Sequence, residues 1–447
     1  MMATGYRLAM GLACGLQLSA LMPATCMAQW LPTLEYQLAL TDQQSQAVDV
    51  QSQRWRLQPQ WVGQYQAWRF NVLPQLELQS SGHLQGEENQ NRDNYPPEDI
   101  NYNGPLYWHS GLRADMREAY ADYDGTLFAT DWSLRLGKQQ VAWGQADGFR
   151  VLDIINPQDL REFNLPDQQD TRIATWMLNS QWSLGGDQIL QLIVIPDLTF
   201  SERAPSKSPF AITSPELTPT ITAGQAVVRK ATKRPDWRPE WALRWSDFVF
   251  GWDVSASYFA FFHDTPVIYR EVIDSVVHVS PEYRSSQLLG VAANTVYGSW
   301  VHRFELAWLD RQFLISSAEY SAGINESPEA QFVYGLDFQG WSNSVLSYQL
   351  YLAYLQDEQL GTVRHQQSIR HTMMMKRSFL NDTLNTEVFL LLNRDYNDGQ
   401  WRLTGDYQWN DNWVIELALD AFYGPAIGPF GQYQQANRLS MGLEYSF

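Results

Sequence analysis

The last nine residues of the chain, Leu439-Ser-Met-Gly-Leu-Glu-Tyr-Ser-Phe447, decide its fold. Apolar side chains occupy every second position, which predicts a β-strand with one apolar and one polar face. Bacterial outer-membrane barrels end on such a strand, because the last strand closes the barrel and its terminal aromatic residue is part of the assembly signal. The alternative is an ordinary amphipathic strand at the end of a soluble β-protein. The residues assigned to the assembly signal are Leu439, Met441, Leu443, Tyr445 and Phe447.

The same alternation recurs along almost the whole chain. Apolar or aromatic residues take the odd positions of 413–423 and the even positions of 346–354. Each run is about ten residues long, which is the length that a tilted strand needs to cross a bilayer. The mean hydropathy is only −0.36 although 45% of the residues are hydrophobic, as expected when alternation disperses the apolar residues.

The connections between these runs alternate in length. Outer-membrane barrels have short periplasmic turns and long external loops, whereas a soluble sandwich has no reason to place all its long loops at one end. Short turns are predicted at 410–412, 380–382, 340–343, 298–299, 185–187 and 122–125, and long polar connections at 424–433, 356–364, 315–329, 264–284, 198–237, 142–172 and 81–105.

Parity sets the number of strands. Both ends of a bacterial barrel are periplasmic, so the count is even. Sixteen strands follow from about Trp68 to Phe447, and the alternation over 34–40 with a return over Trp55–Tyr65 adds a pair. The sequence therefore predicts an all-β transmembrane antiparallel barrel of about eighteen strands, with sixteen as the fallback. Such a barrel holds water or small solutes unless a loop fills it.

The N-terminus has the pattern of a secretory signal peptide over residues 1–28. Arg7 gives a positive region, an apolar stretch follows, and Cys26-Met-Ala28 is a small-residue cleavage site. Cleavage after Ala28 removes both cysteines, so the mature barrel, residues 29–447, is expected to have no disulfide. No stretch reaches ~18 consecutive apolar residues, so no membrane-spanning helix is expected.

The composition fits a protein of the bacterial outer membrane. Aromatic residues make up 14% of the chain, as expected where aromatic girdles lie at both membrane interfaces. A net charge of −18 argues against nucleic acid as a partner. The expected partners are outer-membrane lipid and lipopolysaccharide, the barrel-assembly machinery, a small-molecule or lipid-like solute, and a periplasmic transport partner. The acids of loop 81–105 form either a solvated surface or a site for divalent cations that bridge lipopolysaccharide: Glu87, Glu88, Asp93, Glu98 and Asp99.

One loop, residues 143–172, differs from the others. After Trp143 the alternation stops, and Gly144 and Gly148 permit unusual backbone geometry. Asn156 and Pro157 form a good helix start, with Asn as the N-cap and Pro at the first helical position. Loop 198–237, rich in Ser, Thr and Pro, is expected to stay external. In contrast, loop 143–172 is too apolar to remain exposed to water and is expected to fold into the lumen. The apolar residues that indicate this are Ile154, Ile155, Leu160 and Phe163.

Two motifs around this loop resemble a known family. Lys138-Gln-Gln-Val-Ala-Trp-Gly144, followed by Asn156-Pro157 and Asp159, is similar to the signature of a proteobacterial outer-membrane family, domain of unknown function thirteen-oh-two. Residues 146–150 and 160–163 differ from its better-known branch, so the chain resembles a divergent member. The resemblance implies an outer-membrane β-barrel linked with envelope transport of lipids or other hydrophobic compounds, and it supplies no catalytic residues.

Six charged side chains of the loop are candidates for a lumen constriction. Inside a lumen, both charge signs in one short segment would form a transverse field that selects solutes by size and dipole. The alternative interpretation is that these groups pair with the barrel wall and fix a plug. The candidates are Asp147, Arg150, Asp153, Asp159, Arg161 and Glu162.

Inward-facing positions of the last strands carry an acidic bias, which favours cationic or neutral solutes over anions. Three arginines are expected to offset part of this charge: Arg303, Arg377 and Arg394. The inward-facing positions considered are Arg402, Asp406, Glu416, Asp420 and Glu444.

No motif for catalysis, cofactor binding or metal binding stands out in the sequence. The seven His lack metal-ligand spacing, and there is no nucleophile elbow or phosphate loop. The sequence therefore predicts a passive outer-membrane channel or solute-specific transporter, gated or narrowed by loop 143–172. A plugged barrel that serves an envelope assembly for lipids or hydrophobic compounds is the second hypothesis. An outer-membrane hydrolase, suggested only by the pair His263-Asp264, is the third.

Overall fold

The structure, a computed structural model, describes the barrel strands and most of the connections between them. The predicted signal peptide and loop 81–105 lie largely outside the described residues, and so does the candidate Asp147. The described residues are 26–43, 47–82, 106–109, 111–127, 130–146, 148–204, 208–221, 225–230, 232–233, 235–317, 322–357 and 361–447.

Eighteen antiparallel strands form one closed sheet, which confirms the fold class predicted from the sequence. Each strand pairs with its neighbours in chain order, and the first and last strands pair with each other. A three-residue strand, Tyr107–His109, adds to the fourth of them. The barrel strands are β1 (Cys26–Gln43), β2 (Ala47–Tyr65), β3 (Trp68–Gly82), β4 (Leu112–Leu127), β5 (Thr130–Gln139), β6 (Thr175–Gly185), β7 (Gln188–Ile195), β8 (Glu240–Val249), β9 (Trp252–Phe262), β10 (Ser285–Tyr297), β11 (Trp300–Ile315), β12 (Ile324–Phe338), β13 (Ser344–Leu355), β14 (Gln367–Phe379), β15 (Leu384–Asn393), β16 (Asp398–Gln408), β17 (Trp413–Tyr423) and β18 (Arg438–Ser446).

The C-terminal strand closes the barrel. On one side β18 pairs with β17, and on the other it pairs with β1, where Leu439 lies opposite Leu40 and Tyr445 opposite Leu34. The backbone N–H of Phe447 donates to the carbonyl of Pro32 at 3.2 Å. The strand pair predicted upstream of Trp68 is therefore present, and the count is eighteen rather than sixteen.

Alternation places apolar side chains on the outside of the barrel. On β16, Trp401 and Leu403 are exposed, whereas Arg402 between them faces the interior. At the end with the short turns, aromatic side chains pack across neighbouring strands: Trp413 lies 4.7 Å from Tyr445, ring centre to ring centre. Similar pairs at this end form an aromatic girdle of the kind found at a membrane interface.

The predicted turn at 122–125 is wrong, because β4 continues to Leu127. Asp124 and Gly125 pair in register with Ser133 and Trp132 of β5. Pairing with β5 keeps this stretch in a strand, although its composition is typical of a turn. The predicted loop 315–329 is also too long, since β12 resumes at Ile324. Two short connections, 250–251 and 394–397, were not predicted.

Several connections at the other end have structure of their own. Loop 264–284, predicted as a long polar connection, contains a hairpin of Val267–Ile273 with Val276–Glu282, and Ala226–Arg229 adds to it in parallel. A one-turn helix, α1 (Gln168–Thr171), and a 3-10 turn, Gly431–Ala436, also occur there. In the described part of the chain, no helix is long and apolar enough to span a membrane.

The two walls of the lumen differ in character. The wall from β6 to β13 carries a patch of buried apolar side chains that includes Met177, Ile193, Phe259, Leu288 and Val333. The wall from β14 through β18 to β2 presents mostly charged and polar side chains, among them Lys376, Glu387, Arg402, Glu416, Arg438 and Arg56. The connection between β5 and β6 lies between these walls.

Candidate functional site: the loop inside the barrel

The lumen loop, residues 140–174 between β5 and β6, is closed at its base by Asn156. The Asn156 Oδ1 accepts a hydrogen bond from the N–H of Val141 at 2.7 Å. Its Nδ2 donates to the carbonyl oxygens of Gln139 at 3.2 Å and Ile173 at 3.0 Å. The side chain is 1% exposed, so these bonds satisfy a fully buried amide.

The helix start predicted at Asn156 and Pro157 is therefore wrong. The next residues, Asp159–Leu160, form a two-residue strand instead of a helix. Pro157 contributes its carbonyl, which accepts from the N–H of Ile173 at 2.8 Å. The Asn-Pro motif joins the two ends of the loop, and its partners 15 to 17 positions away are not visible from local sequence.

Gln145 joins the far part of the lumen loop to the opposite wall. Its N–H donates to the Glu305 carboxylate, and its carbonyl accepts from Arg303 at 2.6 Å. The Asn294 Nδ2 donates to its side-chain oxygen at 2.9 Å. These partners lie on β10 and β11, and 149 to 160 positions separate them from Gln145 in the chain. The sequence analysis missed Gln145, because nothing around it marks such distant partners.

The lumen loop buries an apolar face against the barrel wall. Val151, Leu152 and Ile155 are at most 2% exposed and belong to the same cluster as Phe259. On β10, an added Cβ at Gly290 would lie 2.4 Å from Leu152, so glycine makes room for the loop. Burial of this kind stabilises by about 1.5–3 kcal/mol for each large side chain. Apolar residues thus hold the loop inside the barrel, as the sequence predicts.

Two glycines allow the lumen loop to pack closely. A Cβ at Gly144 would lie 2.9 Å from the Cβ of Asp153. Gly148 has a φ of +79°, and a Cβ there would lie 2.8 Å from the ring of Phe389 on β15. Both positions need glycine for space, and Gly148 needs it for its backbone conformation as well.

The described charged candidates of the loop are engaged in contacts within the protein. Asp153 pairs with Arg172 at 2.7 Å, and Asp159 pairs with Arg161 at 2.6 Å. Arg150 donates to the backbone carbonyl of Asp153 at 2.7 Å. All of these contacts lie within the loop itself.

Glu162 connects the lumen loop to the polar wall. Its carboxylate lies 2.9 Å from the Arg438 guanidinium on β18 and 3.6 Å from that of Arg54 on β2. Three residues further on, the carbonyl of Leu165 accepts a hydrogen bond from Arg402. The loop therefore contacts both walls of the barrel.

Electrostatics keep the loop carboxylates ionised. Burial alone would raise the pKa of Glu162, but Arg54 and Arg438 outweigh it and lower that pKa to about 2. Burial also opposes ionisation of Asp159, and the Arg161 guanidinium holds the pKa of Asp159 well below its usual range. Both pairs are fully charged at neutral pH.

A second connection, 198–237, contributes to the same interior. Glu202 accepts two hydrogen bonds of 2.8 Å from Arg113 on β4 and lies 3.4 Å from Arg161. Ala204 and Phe210 belong to the apolar cluster around the lumen loop. The expectation of a wholly external loop is therefore wrong for this part, since its Ser- and Pro-rich composition does not reveal these contacts.

A cavity of about 910 Å³ remains between the lumen loop and the polar wall. Two of the predicted offsetting arginines do not face it: Arg377 points outward over the ring of Phe379, and Arg394 lies in the 394–397 connection. Arg303 is bound to Gln145. All five inward-facing positions considered from the sequence line the cavity: Arg402, Asp406, Glu416, Asp420 and Glu444.

Solved structures similar to this chain include outer-membrane proteins. The outer-membrane protein OpdK of Pseudomonas aeruginosa is 8% identical with a TM-score of 0.51, and the match covers 94% of this chain and 98% of that one. A BenF-like porin of Pseudomonas fluorescens is 10% identical with a TM-score of 0.49 over the same shares. No curated protein matches the chain in sequence.

A closed barrel of eighteen strands, apolar outside and girdled by aromatic residues, belongs in the bacterial outer membrane, and its fold is similar to that of the outer-membrane protein OpdK. The family predicted from the motifs around the lumen loop is confirmed. Residues 78–362, more than half of the chain, match the family described as protein of unknown function DUF1302, and the chain belongs to that family.

Proposed function

We propose that the protein is a passive outer-membrane channel narrowed by its lumen loop. The observation that carries this proposal is the cavity of about 910 Å³ beside the loop. This volume is in the range of sites for small organic molecules. The polar wall offers hydrogen-bonding groups to a solute that loses part of its hydration shell. Passage through such a lumen needs no cofactor and no covalent step.

The lumen loop acts in this proposal as a constriction of fixed shape. Asn156 holds its base, Gln145 holds it to β10 and β11, and Glu162 holds it to β18. These contacts join the loop to separate parts of the barrel, so the loss of one of them would loosen the loop without releasing it. Solutes would then be selected by the space left beside the loop.

A plugged barrel is the second candidate, and the packing of the loop favours it. Val151, Leu152 and Ile155 fill the apolar side of the lumen as a protein core would. In this case the barrel would serve as the outer-membrane component of an envelope assembly for lipids or hydrophobic compounds, with a periplasmic partner. A plugged barrel would not conduct solutes, whereas the proposed channel would.

Swelling of liposomes in neutral sugars of increasing size tests the channel. We expect the full-length barrel to admit small sugars only, and a variant in which a short Gly-Ser linker replaces Gly144–Leu165 to admit larger ones. Replacing the external hairpin 267–282 in the same way serves as the control and leaves the size limit unchanged. If the wild type admits no sugar and the loop variant does, the plugged barrel is favoured. If neither admits any sugar, the channel is wrong.

A further inference from the structure

Four carboxylates form an acid belt at the end of the cavity that lies nearest the short turns: Asp406, Glu416, Glu444 and Glu35. They lie on four neighbouring strands, β16, β17, β18 and β1, and all of them line the cavity. Asp406 is in register with Glu416, and Glu444 with Glu35. Neighbouring side chains in such pairs are about 5 Å apart. Between the two pairs, Glu444 is the diagonal neighbour of Glu416, which lies opposite Gly442.

The acid belt is only partly neutralised. Arg56 pairs with Glu35 at 2.8 Å. Among the described residues, Asp406, Glu416 and Glu444 have no cationic partner within 4.0 Å. In the described ranges, no group of three or more His, Cys, Asp or Glu is placed to hold a metal ion.

The lumen loop adds a further carboxylate to the cavity. Asp167 lines it together with the belt and interacts electrostatically with Asp406 and Glu416. Burial raises the pKa of Asp167 against the opposing effect of Arg402, and the neighbouring Asp170 and Glu387 carboxylates raise it further. Carboxylates therefore face the cavity from the loop as well as from the belt.

The arginines of the cavity, in contrast, are matched by carboxylates, except for Arg150, which donates to the backbone carbonyls of Asp153 and Asn156. Arg402 lies 2.6 Å from Asp420, and Arg438 lies 2.9 Å from Glu162. An anionic solute would have to displace these internal partners, which are largely buried. At Asp406, Glu416 and Glu444 a cation meets carboxylates that no cationic side chain of the described residues holds within 4.0 Å.

Two buried acceptors along the same wall lack a partner. Gln400 and Ser440 are each 4% exposed and line the cavity, and the Gln400 Oε1 and Ser440 Oγ have no hydrogen-bond donor among the described residues. Buried polar atoms without a partner are uncommon in folded proteins and indicate a missing ligand or water. A ligand with N–H donors would satisfy them.

The cavity also has an apolar side. Phe163 and Leu165 of the loop and Met374 and Phe389 of the wall line it. From Gln400 to Asp406 the wall extends about 20 Å at ~3.3 Å per residue. The cavity is therefore long enough for a molecule with a charged head and an apolar body.

We propose that the cavity takes organic cations, with an ammonium group at the acid belt and an apolar body against Phe163 and Phe389. This inference rests on the proposed channel for the route by which the solute enters and leaves. It adds the chemical class of the solute, which neither the fold nor the family supplies.

Equilibrium binding to the full-length barrel in detergent tests the class of solute. The probes are benzylammonium, benzoate and benzyl alcohol, which share one ring and differ in charge. We expect benzylammonium to bind at least about tenfold more tightly than the other two in titration calorimetry. Equal binding of benzoate would overturn the inference, and so would the absence of benzylammonium binding.

A triple variant, Asp406→Asn, Glu416→Gln and Glu444→Gln, tests the belt itself. It should lower the affinity for benzylammonium about tenfold or more, whereas the loss of three exposed turn carboxylates at the same end should leave it unchanged. An unaltered affinity in the triple variant would contradict the belt, and heat-modifiable migration in SDS gels checks that each barrel is folded. The control variant is Asp187→Asn, Asp382→Asn and Asp411→Asn.

Conductance separates this inference from the proposed function. A closed barrel that binds benzylammonium through the belt would refute the channel and keep the cation site. A conducting barrel that does not bind benzylammonium would refute the cation site and keep the channel. A preference for potassium over chloride without benzylammonium binding counts against the organic cation as well.

Discussion

The Glu162 carboxylate accepts a hydrogen bond of 2.9 Å from the Arg438 guanidinium, although 276 positions separate the two residues. Both side chains are almost fully buried. The pair joins the loop inside the barrel to the strand that closes the barrel. The terminal strand therefore has two structural roles, since it completes the sheet and also holds the constriction.

Replacing Arg438 with Ala should loosen the lumen loop. Removal of one partner leaves the Glu162 charge buried without its closest cation, which costs about 3–5 kcal/mol. We expect a lower thermal midpoint and a larger conductance than in the wild type. Arg69→Ala is the matched control, because the Arg69–Asp124 pair is about half exposed and contributes at most ~1 kcal/mol. Equal losses in both variants would show that the Glu162–Arg438 pair does not hold the loop.

Replacing Asn156 with Asp should open the base of the loop, although the new side chain has the same shape as the old one. The carboxylate still accepts from Val141, but it cannot donate to the carbonyls of Gln139 and Ile173. Each buried carbonyl left without a donor costs about 1–3 kcal/mol. Limited proteolysis should then cut within 140–174 faster than in the wild type. Unchanged protection would refute the role given to Asn156.

Replacing Gly148 with Ala should cost more than the same change at Gly186. Both glycines have positive φ, +79° and +61°, so the backbone penalty is similar. Only at Gly148 does the new methyl group meet another atom, 2.8 Å away in Phe389, and such overpacking costs about 1–3 kcal/mol more. Urea-induced unfolding of the two variants measures the difference. Equal midpoints would mean that the loop is not packed against β15.

Replacing Asp264 with Asn should stabilise the protein at pH 8 and have little effect at pH 4. Burial raises the pKa of Asp264 to about 7 from its ordinary value of 3.8, against the opposing effect of Arg150. The folded state therefore holds the proton more tightly, and the stability that this group contributes is lost as pH rises through 7. We expect a gain of up to about 4 kcal/mol at pH 8, since a rise of about three pKa units corresponds to that free energy. Asp274→Asn, at an exposed turn of the external hairpin, is the control and should show no such pH dependence.

The architecture could be predicted from the sequence because its determinants are local. Alternation within runs such as 413–423 gives strands, and lipid outside the barrel requires an apolar residue at every second position. Phe447 and the parity of the strands then determine closure and count. The predicted turn at 122–125 fails for the same kind of reason, since cross-strand pairing with Trp132 and Ser133 is not a local property.

The candidate site was predictable only in part. The apolar composition around Ile154 and Ile155 correctly brings the loop into the lumen. The partners of Gln145 and Asn156 come from distant or non-helical segments, so no periodicity reveals them. The separation of matched arginines from unmatched carboxylates depends on register between strands, which a single sequence does not show.

Single-channel recording in planar bilayers tests the central claim most directly. The account predicts a steady, small conductance for the full-length barrel, and a severalfold larger one when a short linker replaces Gly144–Leu165. Equal conductance of the two proteins would mean that the loop does not narrow the pore. A barrel that stays closed with and without the loop would contradict the channel altogether.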